Sequence, residues 1–140
     1  MNASEREFII GVFRDFFRKT LCSSLGESAG KAVLLLMQKR LGRDFFEVFW
    51  EDPKAAYCEM ERIFGVGANV LISLLAAGIE REYNLKMSPE HLLNLMRSGD
   101  HRSREEMRSF LRKMAESHLK KRVLPKTVSS LEALMKKNWE

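Results

Sequence analysis

A run of basic residues near the C-terminal end has the residue types and spacing that point most directly to chemistry. Between Arg97 and Lys126 there are ten Lys or Arg against four Asp or Glu, whereas the whole chain carries a formal charge of +5. The remainder is therefore close to neutral. Guanidinium and ammonium groups attract phosphate, and such concentrated charge is typical of proteins that contact nucleic acid. The sequence predicts an anion-binding face in this segment.

This segment has helical periodicity. One face carries a narrow apolar stripe, formed by Met107, Phe110, Leu111, Met114, His118 and Leu119. Arg104, Arg108 and Arg112 recur every four residues on another face. Like charges at that spacing repel, and an anionic partner relieves the repulsion. We expect contacts to phosphates without strong sequence choice. The predicted contacts are Arg102, Arg104, Arg108, Arg112, Lys113, Lys120, Lys121 and Arg122.

Two other interpretations of the basic segment stay open. Glu105, Glu106 and Glu116 lie three or four residues from basic ones, as on a solvated face that binds nothing. The apolar stripe also fits an amphipathic helix that docks on a partner or a membrane surface, although the acids weaken binding to anionic lipid.

No motif in the sequence indicates catalysis or metal binding. His91, His101 and His118 fall on separate segments without the spacing of metal ligands. Gly65-Val66-Gly67 follows a predicted helix and lacks the GK[ST] of a phosphate loop. We therefore predict a protein that is not an enzyme and that uses no cofactor or metal ion.

Cysteine usage and hydropathy indicate the compartment. Cys22 and Cys58 are far apart, as expected of reduced thiols in a cytoplasmic protein. The start of the chain lacks the pattern of a signal peptide, and the longest apolar stretch, 65–79, is too short to span a bilayer. We predict a soluble, cytoplasmic protein without stable membrane insertion.

The elements that must position these residues are all predicted to be helices. Start signals occur at Ser4-Glu7, Ser24-Glu27, Asp52-Pro53, Ser88-Pro89 and Ser103-Glu106. They predict helices over about 5–22, 27–41, 53–64, 68–83, 88–97 and 103–123, with a stop at Pro125 and one last helix beyond it. The segment 43–50 is either a short helix or a packed connector. An all-α bundle of six or seven helices follows.

Two of the predicted helices, 27–41 and 68–83, are apolar around most of their circumference and are expected at the centre of the bundle. The pattern divides the chain into a helical core, residues 1–87, and a basic helical extension, residues 88–140. The extension either packs on the core or projects from it.

Two further functions stay open beside nucleic-acid binding. A surplus of aromatic side chains suggests a protein-interaction or oligomerisation module, and the residues concerned are Phe13, Phe16, Phe17, Phe45, Phe46, Phe49 and Trp50. A ligand-sensing domain with a pocket between the apolar helices is the weaker alternative.

Part of the chain resembles an uncharacterised family of small helical domains from archaea. The resemblance rests on Leu25-Gly26-Glu27-Ser28, on Asp52-Pro53 and on Phe64-Gly65-Val66-Gly67-Ala68, and it covers about residues 25–85. It implies an all-α fold and an archaeal origin but no activity. The basic segment has no counterpart in that pattern.

Overall fold

The computed structural model is built from helices joined by short connections. It describes the backbone of residues 2–139 and the side-chain surroundings of residues 2–121. Along that backbone seven helices follow one another: α1 Ala3–Leu25, α2 Glu27–Leu41, α3 Phe45–Glu51, α4 Pro53–Phe64, α5 Gly67–Tyr83, α6 Pro89–Ser98 and α7 His101–Trp139. No described residue lies in a strand. The predicted all-α bundle is confirmed.

Two of the predicted helix starts have the expected capping geometry. The side chain of Asp52 accepts a hydrogen bond from the Ala55 N–H at 3.3 Å, and Ser88 Oγ accepts one from the His91 N–H at 3.1 Å. A proline follows each cap and needs no hydrogen bond of its own. The segment left open at 43–50 is the short helix α3, capped by Asp44.

The other three predicted capping boxes are wrong. Asn2 caps α1 in place of Ser4, and Asp100 caps α7 in place of Ser103. Ser24 lies inside α1, and no side chain caps α2. At α1 and α7, an Asn or Asp two or three residues earlier bonds the free N–H groups of the first turn, and both residue types cap at least as well as Ser.

Helix α7 extends over His101–Trp139 as one element, so the predicted end at Pro125 and the separate last helix are wrong. A proline removes one backbone hydrogen bond, which kinks some helices without ending them. Side chains from Arg122 onward, including that predicted phosphate contact, lie outside the described residues.

Aromatic rings from α1 and α3 fill the centre of the bundle. The seven rings proposed as interface surplus are each at most 6% exposed. Phe13 and Phe49, for example, have ring centroids 4.6 Å apart. The prediction of an aromatic interface is therefore wrong for these residues. Because α3 contacts α1, α4 and α7, it buries nearly its whole circumference, and its rings become core.

Only one of the two very apolar helices lies at the centre of the bundle. Helix α2 packs on α1, α3 and α4 and buries only Gly30 and Met37, leaving Leu35 62% exposed. Helix α5 contacts α1, α4, α6 and α7 and buries Ile72, Leu75 and Ile79, although Val70 is exposed. The prediction that both are central is wrong because apolar composition does not say which face finds a neighbour.

The basic segment packs on the bundle along the described part of α7. Met107, Phe110, Leu111 and Met114 are buried, which confirms the first part of the predicted apolar stripe, whereas Leu119 is 51% exposed and its predicted place in the stripe is wrong. The buried side chains pack α7 along α1 and against α3, α5 and α6. The basic side chains are thereby held on the surface between these helices.

Candidate nucleic-acid interface

The predicted phosphate contacts on α7 differ in exposure. Arg102, Arg112, Lys113, Lys120 and Lys121 are exposed, whereas Arg104 and Arg108 are half-buried. The predicted contacts whose side chains are described therefore differ in how much of each side chain a ligand could reach.

The basic residues divide between two sides of α7. Arg108 and Arg112 line a cleft beside Trp50, which we call the arginine side. Lys113 lines a different cleft beside the connection from α5 to α6, and Lys121 Nζ lies 5.6 Å from the centroid of the Tyr83 ring. We call Lys113 and Lys121 the lysine side. Consecutive helical residues project about 100° apart, which separates Arg112 from Lys113.

The arginine side belongs to a cleft of about 470 Å³ formed by three helices. We call it the arginine cleft, and its lining residues are Asn2, Ala3, Arg6, Trp50, Glu105, Arg108 and Arg112. The first turn of α1 forms one wall, α7 forms another, and Trp50 at the end of α3 lies between them. Three guanidinium groups from two helices thus meet around one space.

Arg108 is held in a fixed position within this cleft. Its Nε donates to the Trp50 carbonyl oxygen at 3.1 Å, and its Cζ lies 5.1 Å from the centroid of the Trp50 ring. Its Nη1 also donates to Glu105 at 3.3 Å. A guanidinium group can stack on an aromatic face and donate several hydrogen bonds at once. The charge of Arg108 is therefore oriented before any ligand arrives.

A second ion-pair network borders the cleft. One carboxylate oxygen of Glu51 accepts from Arg6 at 2.8 Å, and the other accepts from Arg43 at 2.7 Å. The hydrogen bonds from Arg43 and then Arg6 hold the pKa of Glu51 below its usual value. The same contact with Glu51 raises the pKa of Arg43. Glu51 therefore remains ionised between the two arginines.

Arg112 is the most available cation of the cleft. It is exposed, and it forms no ion pair within the part of the chain whose side chains are described. Arg6 and Arg108, by contrast, each have a carboxylate partner. Arg112 is therefore the arginine of the cleft that can bind an incoming anion without first giving up a carboxylate partner among the described residues.

The sequence did not indicate three members of this cluster. Arg6, Arg43 and Trp50 are distant from α7 in sequence, and neither spacing nor composition connects them with Arg108. Only the packing of α1 and α3 against α7 brings them together. The basic run in the sequence predicted Arg108 and Arg112, and the tertiary contacts add Arg6, Arg43 and Trp50.

The lysine side lies on a cleft of different character, about 440 Å³ in volume. Its polar groups include Lys86, Lys113 and a hydrogen bond between the His91 ring and the Glu106 carboxylate that joins α6 to α7. Burial, followed by the nearby charges of Glu82 and Asp15, raises the pKa of Tyr83. The tyrosine beneath Lys121 therefore stays a neutral phenol.

Within the part of the chain that the structure describes, no group of three or more His, Cys, Asp or Glu side chains is arranged to hold a metal ion. Among its described helices, none combines the length and the apolar character needed to cross a bilayer. No family model, curated protein or solved structure matches the chain, and the archaeal resemblance of residues 25–85 stays a prediction.

Proposed function

We propose that this chain is a non-enzymatic, cytoplasmic binding protein that contacts the phosphates of nucleic acid through the basic face of α7. The arginine cleft makes the main contacts, and the exposed basic residues of α7 add long-range attraction. The single observation that supports this function is the meeting of Arg6, Arg108 and Arg112 in one cleft.

The chemistry of the cleft suits phosphate oxygens. Guanidinium groups match phosphate in geometry and form charge-assisted hydrogen bonds, which are about twice as strong as neutral ones. Arg108 needs no rearrangement to donate, because Trp50 and Glu105 already fix its position. No carboxylate among the described residues pairs with Arg112, so its guanidinium group can bind phosphate without breaking an ion pair there.

The same cleft offers little for reading bases. Trp50 is 4% exposed, and one face of its ring is already occupied by Arg108. A base therefore has no free ring of Trp50 on which to stack, and stacking platforms are what most single-strand binders use. Binding through phosphates alone is weakly selective for sequence.

Fluorescence anisotropy with labelled DNA and RNA, single- and double-stranded, tests this function at several salt concentrations. The informative variant is R6Q/R112Q, which removes two charges and leaves Arg108 with its packing role. We expect weaker binding to every sequence and a salt slope that is smaller by about two.

The matched control is K31Q/K39Q, which removes two exposed charges from α2. It should lower affinity much less, because α2 packs on α1, α3 and α4 rather than beside the cleft. Absence of binding by the native protein at low salt would refute the function. Equal losses in the two double variants would show that only total charge matters.

Exposed aliphatic side chains favour a protein-interaction module as the second candidate. Leu35 is 62% exposed on α2, Val66 is 91% exposed just before α5, and Val70 is 61% exposed on α5. Large exposed apolar groups that are not scattered singly mark contact surfaces. Light scattering of the native protein and of V66S/V70S tests this: self-association that the variant abolishes would support it.

The ligand-sensing alternative placed a pocket between α2 and α5, but α2 packs on α1, α3 and α4, whereas α5 packs on α1, α4, α6 and α7. The enclosed space between α1, α5, α6 and α7, lined by Phe13, Leu75 and Met107 among others, has a volume of about 10 Å³. Such a space holds at most one water molecule. A small-molecule pocket between these helices would require them to move apart.

A further inference from the structure

The charge around the arginine cleft exceeds what its carboxylate neutralises. Three guanidinium groups, those of Arg6, Arg108 and Arg112, line the cleft with one carboxylate, that of Glu105, which leaves a net charge of +2 on the lining residues. A phosphodiester within a nucleic-acid strand carries one negative charge. A phosphate monoester carries about 1.5 to 2 at neutral pH, so a monoester balances the cluster better.

The first turn of α1 adds to this preference. Asn2 and Ala3 line the cleft, and α1 begins there. The first N–H groups of a helix carry partial positive charge and favour an anion of higher charge. The α1 start, Arg6 and Arg112 therefore act on the same volume, and their attraction grows with the charge of the ligand.

The shape of the site favours the end of a strand over its middle. The basic groups gather at one cleft of about 470 Å³, within the range of about 300–1,000 Å³ typical of small-ligand sites. Along α7 they are not continuous, because Glu105 adjoins Arg108. A strand passing across α7 would meet that carboxylate as well as the arginines. A terminal phosphate can enter the cleft and leave the rest of the strand outside.

We propose that the arginine cleft binds the phosphate monoester at the end of a nucleic-acid strand in preference to internal phosphodiesters. This inference rests on the proposed function and specifies which phosphate the cleft takes. Arg112 is the residue that distinguishes the two, because it forms no ion pair with any residue whose side chain is described and because it lines the same cleft as the start of α1.

The experiment compares strands of one sequence, about 12 nucleotides long, that carry a 5′-phosphate, a 3′-phosphate or hydroxyls at both ends. Anisotropy at physiological salt measures each affinity. We expect one of the phosphorylated strands to bind about tenfold more tightly than the hydroxyl strand, since charge-assisted hydrogen bonds exceed neutral ones. The ratio should decrease as the pH is lowered through about 6, where the monoester takes up a proton.

Two neighbouring substitutions make the test specific to the cleft. R112Q should reduce the ratio between phosphorylated and hydroxyl strands to about one. K113Q removes the same charge from the next residue, but on the lysine side, and should keep the ratio even if both affinities fall. Both residues are exposed, so neither change is expected to unfold the protein.

Each result has a defined meaning. Equal binding of phosphorylated and hydroxyl strands, with both weakened by R6Q/R112Q, overturns the terminal-phosphate inference and leaves nucleic-acid binding intact. A preference that K113Q removes as fully as R112Q does also overturns it, because the cleft would not be the cause. No binding of any strand overturns the inference together with the proposed function.

Discussion

The two sides of α7 carry the same sign of charge but hold it in different ways. On the arginine side, Arg108 is fixed by the Trp50 carbonyl at 3.1 Å, by the Trp50 ring and by Glu105. On the lysine side, Lys113 is exposed, and the Lys121 ammonium group lies 5.6 Å from the centroid of the Tyr83 ring. The charge of Arg108 is therefore built into the packing of α7, whereas those of Lys113 and Lys121 are carried on exposed side chains.

The difference follows from the chemistry of the two cations. A guanidinium group is planar and weakly hydrated, so it can pack against a ring and still donate hydrogen bonds. An ammonium group is strongly hydrated and usually remains in water while its stem covers apolar surface. The arginine side can therefore present a fixed geometry to an anion, and the lysine side contributes mainly long-range attraction.

The largest expected effect on stability comes from truncating Trp50, the residue on which Arg108 packs. W50A should lower the free energy of unfolding by about 3–5 kcal/mol, because a buried aromatic side chain is lost and a cavity remains. Urea denaturation measures the change. W50F should cost less, since it keeps a ring for Arg108. A W50A protein as stable as the native one would show that Trp50 does not organise this side.

The next test separates the packed arginine from the exposed one. R108A should cost about 1–3 kcal/mol, because it leaves the Trp50 carbonyl without its donor and removes the cation–π contact. R112A should change stability by less than about 0.5 kcal/mol, as exposed substitutions usually do. Urea denaturation of both variants gives the comparison. Equal costs would contradict the fixed role assigned to Arg108.

The sequence predicted the helices well and their arrangement poorly. Helix periodicity and the Asp52 and Ser88 caps are local features, and the structure confirms them. The prediction that α2 is central used apolar composition, which is also local. Burial depends on neighbouring helices: Gly30 of α2 packs so closely on α1 that an added Cβ would lie 2.7 Å from Cys22 Sγ, while Leu35 is left outside.

Residues that act across helices were the least predictable. Glu59 is 1% exposed and pairs with Arg40 of α2 and Arg62 of its own helix, yet a single Glu carries no signal for burial. Arg6 and Trp50 were likewise not predicted as part of the site, because only the packing of α1 and α3 against α7 places them in the cleft. The basic segment was found because its charges are consecutive, but its division into two sides depends on what packs against α7.

A smaller effect is expected from the carboxylate that borders the cleft. The pKa of Glu51 is lowered in the folded protein by Arg43 and Arg6, so its stabilisation is present above the unfolded pKa of about 4.5. That stabilisation is lost as the pH falls through the lower, folded value. E51Q should therefore be less stable than the native protein near pH 7, by about 1 kcal/mol at most for so exposed a network.

Urea denaturation of both proteins at about pH 7 and about pH 3 measures this difference, which should shrink at the lower pH. E47Q is a suitable control, because Glu47 is also on α3 and exposed but has no ion pair among the described residues. A difference between E51Q and the native protein that grows in acid would contradict the lowered pKa.

The smallest effect is expected on the lysine side, where the His91–Glu106 pair joins α6 to α7 in an exposed position. H91Q and E106Q should each lower the free energy of unfolding by less than about 1 kcal/mol, and the double variant should cost no more than either alone. A coupling as large as the cost of R108A would mean that both sides of α7 are held with equal rigidity, which would contradict the difference between the arginine side and the lysine side.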